Sequence, residues 1–256
     1  MARPERLRLL QPPDLMRFFP VTLGPRAFHA GSPTLIEALR EAANKNGSLK
    51  RFHRNITVKI GIVAIQGDYE AHARTLDRLG VEHTYVRLPD DLIGISGVIL
   101  PGGESTTHLK VMTEEGLFGA LKNFAASGGA LFGTCAGAIL LARDVRGPAQ
   151  QSLGLLDISI LRNAYGRQLA SDVHIRSSKV SDHPLEMVFI RAPVIESVGD
   201  NVEVLAEEGG HPVLVQQGRI LAATFHPELT SDTTIHGYFL KLTNGGSPEA
   251  AEHSAR

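Results

Sequence analysis

From Val58 onward the chain alternates short, almost wholly apolar runs with stretches whose apolar residues recur at helical spacing. No other feature constrains the fold as tightly. Apolar runs bounded by glycine and polar turns suit strands buried on both faces, and strands alternating with amphipathic helices build βαβ units around a mostly parallel sheet. KIGIVAI (Lys59 to Ile65) reads as the first strand. The spacing then predicts a helix over Asp68 to Leu79, with Ala71, Leu76 and Leu79 inward and Gly80 ending it. EHTYVRL and GVIL follow as strands, the latter running into a glycine turn; Thr113 to Ser127 reads as one helix, ALFG as a strand, and a further helix begins just after Cys135. The later part is richer in strands (DISILRNAY, MVFIRAP, NVEVLAEE, PVLVQQ, RILAATF), and a helix over Asp232 to Leu242 closes the fold. The expected class is therefore α/β, a mostly parallel central sheet flanked by helices, over residues 58–245.

The front of the chain is built differently. Residues 1–55 carry ten Lys or Arg against four Asp or Glu, which leaves sixteen against twenty-three for the rest. Residues 1–57 open with RPERLRLLQPPDLMRFFP and contain one convincing element, a helix from Ser32, with Pro33 at its first position and Leu35, Ile36 and Leu39 on one face. This segment reads as a partly disordered extension, and an Arg-bearing targeting segment or partner-docking arm is the alternative. Residues 246–256 read as a polar tail. A net charge of −1 points to neither nucleic acid nor an acidic membrane as partner. No apolar run spans a bilayer, no signal peptide is evident, and a single cysteine forms no internal disulfide, so the expected location is the cytoplasm.

That cysteine lies in ALFGTCAGAILLA, where a strand hands over to a helix. Lone cysteines are most often inert core residues. Here, however, Gly133, Ala136 and Gly137 supply the small side chains that a tight strand-to-helix turn needs, and such a turn projects a nucleophile beside the free N–H groups of a helix start. A nucleophile needs a base. Three histidines precede proline, and His183 (SKVSDHP) and His211 (EEGGHP) sit in polar runs that read as loops. Only His226 follows a strong apolar strand and has a carboxylate two positions on, in FHPE. Period-two alternation puts His226 and Glu228 on one side of an extended chain, so Glu228 can orient the imidazole. Zinc is not expected, because one Cys and one His-x-Glu pair lack the usual ligand count. LPGGESTT (Leu100 to Thr107) brings backbone N–H groups near a ligand; a phosphate loop is the weaker reading, since no Lys-Ser/Thr pair follows.

Taken in order, PGGEST, GTCAG and FHPE resemble the class I glutamine amidotransferases, whose triad is Cys-His-Glu. AIQGDYEAH, LPGGESTT, LFGTCAGAILLA, LGLLDISILRNAYGRQ, FIRAP and FHPELTSD narrow the resemblance to the glutaminase subunits of pyridoxal 5′-phosphate synthase. The resemblance implies a flavodoxin-like fold of that class. It makes Cys135 the nucleophile, His226 the general base and acid, and Glu228 its orienter. It assigns Gly103, Glu104, Ser105, Arg162, Ile190 and Arg191 to contacts with L-glutamine, Glu104 toward the α-ammonium and an arginine toward the α-carboxylate. Backbone N–H groups of Gly102, Gly103 and Ala136 would hold the oxyanion. It further implies that the ammonia passes to a (β/α)₈ synthase subunit and that this chain carries no cofactor and no metal. The alternatives are a cysteine hydrolase or redox sensor with a thiol at a similar turn, and a scaffold subunit without turnover.

Overall fold

The structure, a computed structural model, describes residues 58–162 and 171–244. The readings made for 1–57, including the helix from Ser32, for the NAYGRQ part of the RNAYGRQ motif and for the tail lie outside these residues.

A seven-stranded sheet forms the centre. Its strands are β1 (Lys59–Val63), β2 (Glu82–Val86), β3 (Gly97–Leu100), β4 (Ala130–Thr134), β10 (Glu203–Glu208), β11 (His211–Gln217) and β12 (Ile220–Ala223), in the order β10-β11-β12-β4-β3-β1-β2. From β12 to β2 all neighbours are parallel, whereas β10-β11 and β11-β12 are antiparallel. Among the described residues five α-helices accompany it: α1 (Tyr69–Arg78), α2 (Ser105–Glu114), α3 (Leu117–Ala126), α4 (Ala136–Leu141) and α5 (Thr234–Thr243). A small sheet of β5 (Ala142–Arg146), β6 (Leu156–Leu161) and β9 (Val194–Val198) and a ribbon of β7 (Ser171–Ser178) and β8 (Ser181–Ile190) complete it.

Strand alternation produces two cores. Val63, Val98, Leu100 and Leu131 point to one face and pack with Met112 of α2, Leu117 and Leu121 of α3 and Ala138 to Leu141 of α4. Ile60, Ile62, Ile99 and Phe132 point to the other and pack with Leu76 of α1 and Phe239 of α5. Because neighbouring residues of one strand feed opposite cores, the central strands are apolar throughout rather than alternating with polar residues.

Several expectations need correction. The single helix over Thr113 to Ser127 is two, since Gly116 sits in the left-handed region at φ 74 and caps the start of α3. Helix α2 begins at Ser105, inside what read as a glycine loop, because Glu104 caps it. Strands β5, β7 and β9 were not anticipated; β7 pairs only with β8 and leaves Val173 and Ile175 exposed, so it shows no continuous apolar run. His183 lies within β8 and His211 opens β11, so neither is a loop histidine. Both remain exposed. The strand ahead of His226 stops at Ala223, and Pro227–Leu229 is a 3₁₀ turn, so FHPE is not extended. Proline, whose φ is preset and which donates no N–H, starts that turn.

Candidate active site

The carboxyl ends of β1, β3, β4 and β12 lie side by side, and the segments leaving them converge where open α/β sheets bind ligands. Cys135, between β4 and α4, adopts φ 47, ψ −101, a sparsely populated conformation for a residue with a side chain. Such a conformation costs about 1–3 kcal/mol and persists only where the surroundings impose it. The surroundings are very close. A Cβ on Gly137 would come within 1.9 Å of Leu100 O, and one on Gly133 within 2.5 Å of Gly137 C. These two glycines let α4 press onto the sheet, while Cys135 N donates to Ala223 O at 2.8 Å and prolongs the β4-β12 pairing up to the turn.

Leaving β12, the chain carries His226 to the sulfur. Its backbone N donates to Val188 O at 2.8 Å, and its Nδ1 lies 2.8 Å from Glu228 Oε1. The thiol itself lies 4.0 Å from Ile190 O, and Cys135 contributes to the state of the imidazole. Burial opposes protonation of His226, but the hydrogen bonds to Cys135 and Glu228, together with their charge, outweigh it and push the pKa up to about 10. Glu228 is 4% exposed, and burial raises its pKa against the opposing pull of His226. Asp68, at the start of α1, adds a carboxylate 3.8 Å from His226 Nδ1, giving three ligand-type groups within 4.8 Å where the sequence suggested two. The short Nδ1 to Glu228 contact already engages the ring nitrogen that such a metal site would use.

The glycine turn closes the site. Gly103 has φ 135, and a Cβ on Gly102 would stand 2.4 Å from His226 Cε1, so only glycine lets the imidazole sit there. Glu104 accepts from Thr106 N at 3.1 Å and Thr107 N at 2.7 Å. Burial would raise its pKa, but the Thr106 and Thr107 hydrogen bonds prevail and hold it down at about 2. Gln66 Nε2 donates to Glu104 O at 2.8 Å, and Ser105 Oγ donates to Gln150 Oε1 at 2.9 Å.

A cavity of about 110 Å³ opens over the sulfur, lined by Gly103, Glu104, Ser105, Cys135, Ile139, Arg162, Ile190, Arg191 and Pro193. All six residues predicted to contact substrate thus meet around one small space. The two arginines differ. Arg162 is buried at the end of β6 and its Nη2 lies 3.4 Å from Glu104 Oε1, whereas Arg191, at φ 45, is exposed and has no ion pair among the described residues. Ala136 is the first residue of α4, where helical N–H groups have no intrahelical acceptor. His226 and Glu228 are buried and lie outside the lining. A larger cavity of about 840 Å³, bordered by Phe189, Val194 and His211, contains neither Cys135 nor His226, so size alone does not pick out the site.

Sequence reasoning missed Gln66, Asp68, Gln150 and two buried histidines, His72 and His236. The stretch AIQGDYEAH holds three of the five, and nothing in its spacing distinguishes His72 from the apolar residues sharing its helix face.

An open, mostly parallel sheet with a cysteine at a strand-to-helix turn and a His-x-Glu pair on the neighbouring parallel strand's exit defines the class I glutamine amidotransferase-like fold. Comparisons with known proteins carry this further. The profile of the SNO glutamine amidotransferase family matches residues 62–244. The chain is 52% identical over 190 residues to "Pyridoxal 5'-phosphate synthase subunit PdxT" of Koribacter versatilis, covering 74% of this chain and 98% of the relative. It is 52% identical over 188 residues to the protein of the same name from Deinococcus radiodurans, covering 72% and 96%. A solved structure described as a glutamine amidotransferase superposes with a TM-score of 0.68 at 46% identity, covering 72% of this chain and 98% of its own. The chain belongs to the SNO glutamine amidotransferase family.

Proposed function

We propose that the chain is the glutaminase subunit of a pyridoxal 5′-phosphate synthase, with residues 58–245 as its catalytic domain. It hydrolyses L-glutamine to glutamate and ammonia through a thioester on Cys135. The observation that carries this reading is Cys135 in the lining of a cavity bearing charged groups of both signs, with the buried His226 held at 2.8 Å by Glu228 and its protonation favoured by Cys135.

The Cys135 sulfur, as thiolate, attacks the side-chain amide carbon, and the C–N bond breaks once protonated His226 has given the nitrogen its proton. Ammonia leaves and a γ-glutamyl thioester remains. His226, now neutral, takes a proton from water; the resulting hydroxide adds to the thioester, the C–S bond breaks, and glutamate departs with the thiolate restored. A pKa of about 10 suits the first of these steps, since it keeps the imidazole protonated and ready to donate. Glu228, acceptor for Nδ1, holds the ring orientation and balances its charge. Both tetrahedral intermediates place negative charge on oxygen, and the N–H groups of Ala136 and of the Gly102 to Gly103 turn are the donors for it.

Glu104, ionised and half exposed, faces the α-ammonium; Ser105 and Ile190 shape the walls. Arg162 is engaged with Glu104, which leaves Arg191 for the α-carboxylate. The name shared by the relatives, a subunit of pyridoxal 5′-phosphate synthase, supports a heteromeric complex, and the ammonia then passes to its synthase subunit, a (β/α)₈ barrel in this reading. No helix among the described residues is long and apolar enough to cross a membrane. The test is glutamine hydrolysis by the full chain, alone and with its synthase subunit. Cys135→Ala should abolish ammonia release while leaving complex formation intact, and unchanged turnover in that variant would refute the thioester route.

A further inference from the structure

Glu228 is approached from two sides. His226 reaches its Oε1 from the start of the 3₁₀ turn, and His72 reaches the same oxygen from α1, with Nε2 3.5 Å from Glu228 Oε1 and 3.2 Å from Thr134 Oγ1. His72 Nδ1 in turn lies 2.9 Å from Nε2 of His236 on α5. Both rings are fully buried, and the Phe132 ring meets each edge-on, with centroids 6.2 and 5.6 Å away.

Proton accounting leaves one economical arrangement. A single proton sits between His72 Nδ1 and His236 Nε2. If His72 supplied it, neutral His236 would carry its own proton on Nδ1, which is buried with no acceptor, and His72 would turn a bare lone pair toward the Glu228 carboxylate. If His236 supplies it, its Nδ1 is an unprotonated lone pair, and His72 must carry N–H on Nε2, aimed at Glu228 Oε1 and Thr134 Oγ1. The second arrangement buries no orphan donor and opposes no lone pairs. Both rings stay neutral. Burial, then the like charges of His236 and His226, hold His72 well below the usual histidine range, and burial with Arg78 nearby brings His236 to about 3.

We propose that His72 is a positioning residue for the amidotransferase reaction: locked as its Nε2–H tautomer by His236, it donates to Glu228 and keeps that carboxylate ionised and turned toward His226. This rests on the glutaminase reading given above. The groups that face Glu228 are His226 from the turn and His72 and Asp68 from α1, while Arg78 acts on His236. Without His72 the carboxylate loses a donor and gains none.

Two measurements decide it. In the ¹⁵N-imidazole spectrum of the full chain, His72 should remain a neutral Nε2–H tautomer from about pH 5 to about pH 8. An Nδ1–H tautomer or an imidazolium in that range overturns the proposal, whatever the activity. In glutamine turnover with the synthase subunit present, His72→Leu should lower kcat about ten- to a hundredfold, the worth of a hydrogen bond to a charged group, with KM little changed. Its acid limb should move to higher pH, because Glu228 then protonates more readily, and His72→Gln, which keeps an N–H donor, should restore much of the rate. A folded His72→Leu protein with wild-type kcat and acid limb overturns the proposal. So does a loss that leaves the acid limb unmoved and that His72→Gln does not repair. Absence of any glutamine turnover in the wild-type complex would instead sink the glutaminase reading, and the tautomer would still report on the hydrogen bond.

Discussion

Replacing Gly102 by alanine adds one methyl group at the most crowded point of the site. Its Cβ would stand 2.4 Å from His226 Cε1 and 3.0 Å from Nδ1, against the 3.5–4.0 Å at which carbon atoms rest. The ring must retreat by about 1 Å, and it cannot do so while keeping both the 2.8 Å bond to Glu228 and the hydrogen bond to Cys135. Misplacing a catalytic group by about 1 Å costs on the order of a hundredfold in rate, which corresponds to about 2.7 kcal/mol of barrier. Gly102 is not part of the cavity lining, so KM for glutamine should change little. Steady-state glutaminase kinetics would show the loss in kcat. Because Cys135 is the only cysteine, its alkylation rate, which should also fall, gives a second readout free of other thiols. A Gly102→Ala enzyme with wild-type kcat would refute the claim that this glycine exists to admit the imidazole.

Stability should peak near pH 6.5. Above that pH the folded state keeps a proton on His226 up to about 10 that the unfolded chain releases, so its contribution is present below about 6.5 and fades as pH rises through 10. Below 6.5 the unfolded chain protonates the histidines matching His72 and His236 while the folded state does not, so stability falls as pH drops toward 3, by up to roughly 1.4 kcal/mol per unit per group. The chain has no tryptophan, so melting followed by circular dichroism is the suitable assay, and a flat profile between about pH 5 and pH 9 would contradict it. Glu104→Ala removes the acceptor for the first N–H groups of α2 and should cost about 1 kcal/mol, the worth of a helix cap, while raising KM for glutamine. Gly119→Ala in α3 and Gly237→Ala in α5, where an added Cβ meets nothing within 4 Å, should each stabilise by up to about 1 kcal/mol through helix propensity. A drop in melting temperature for both would refute the helical assignment of those positions.

Chemistry confined to a few consecutive residues was legible from the chain alone. The turn at Cys135 needs Gly133 and Gly137 because helix and strand backbones touch there, and that requirement is written within five positions. His226 and Glu228 are two residues apart, so their hydrogen bond survives even though the backbone forms a 3₁₀ turn rather than the extended segment expected. The alternation of apolar runs likewise announced a parallel sheet. Long-range pairing was not legible. His72, Thr134, Glu228 and His236 come from α1, β4, the turn after β12 and α5, and only the strand order β12-β4-β3-β1, with α1 and α5 on the same face, brings them within hydrogen-bonding reach. On a helix face His72 looks like one more buried position beside Ala71, Ala73 and Leu76. In the same way nothing in Arg162 or Glu104 announces their contact across 58 residues. Covalent spacing dictates which atoms meet over a turn or two; over longer separations that choice belongs to the packing of two cores on one sheet.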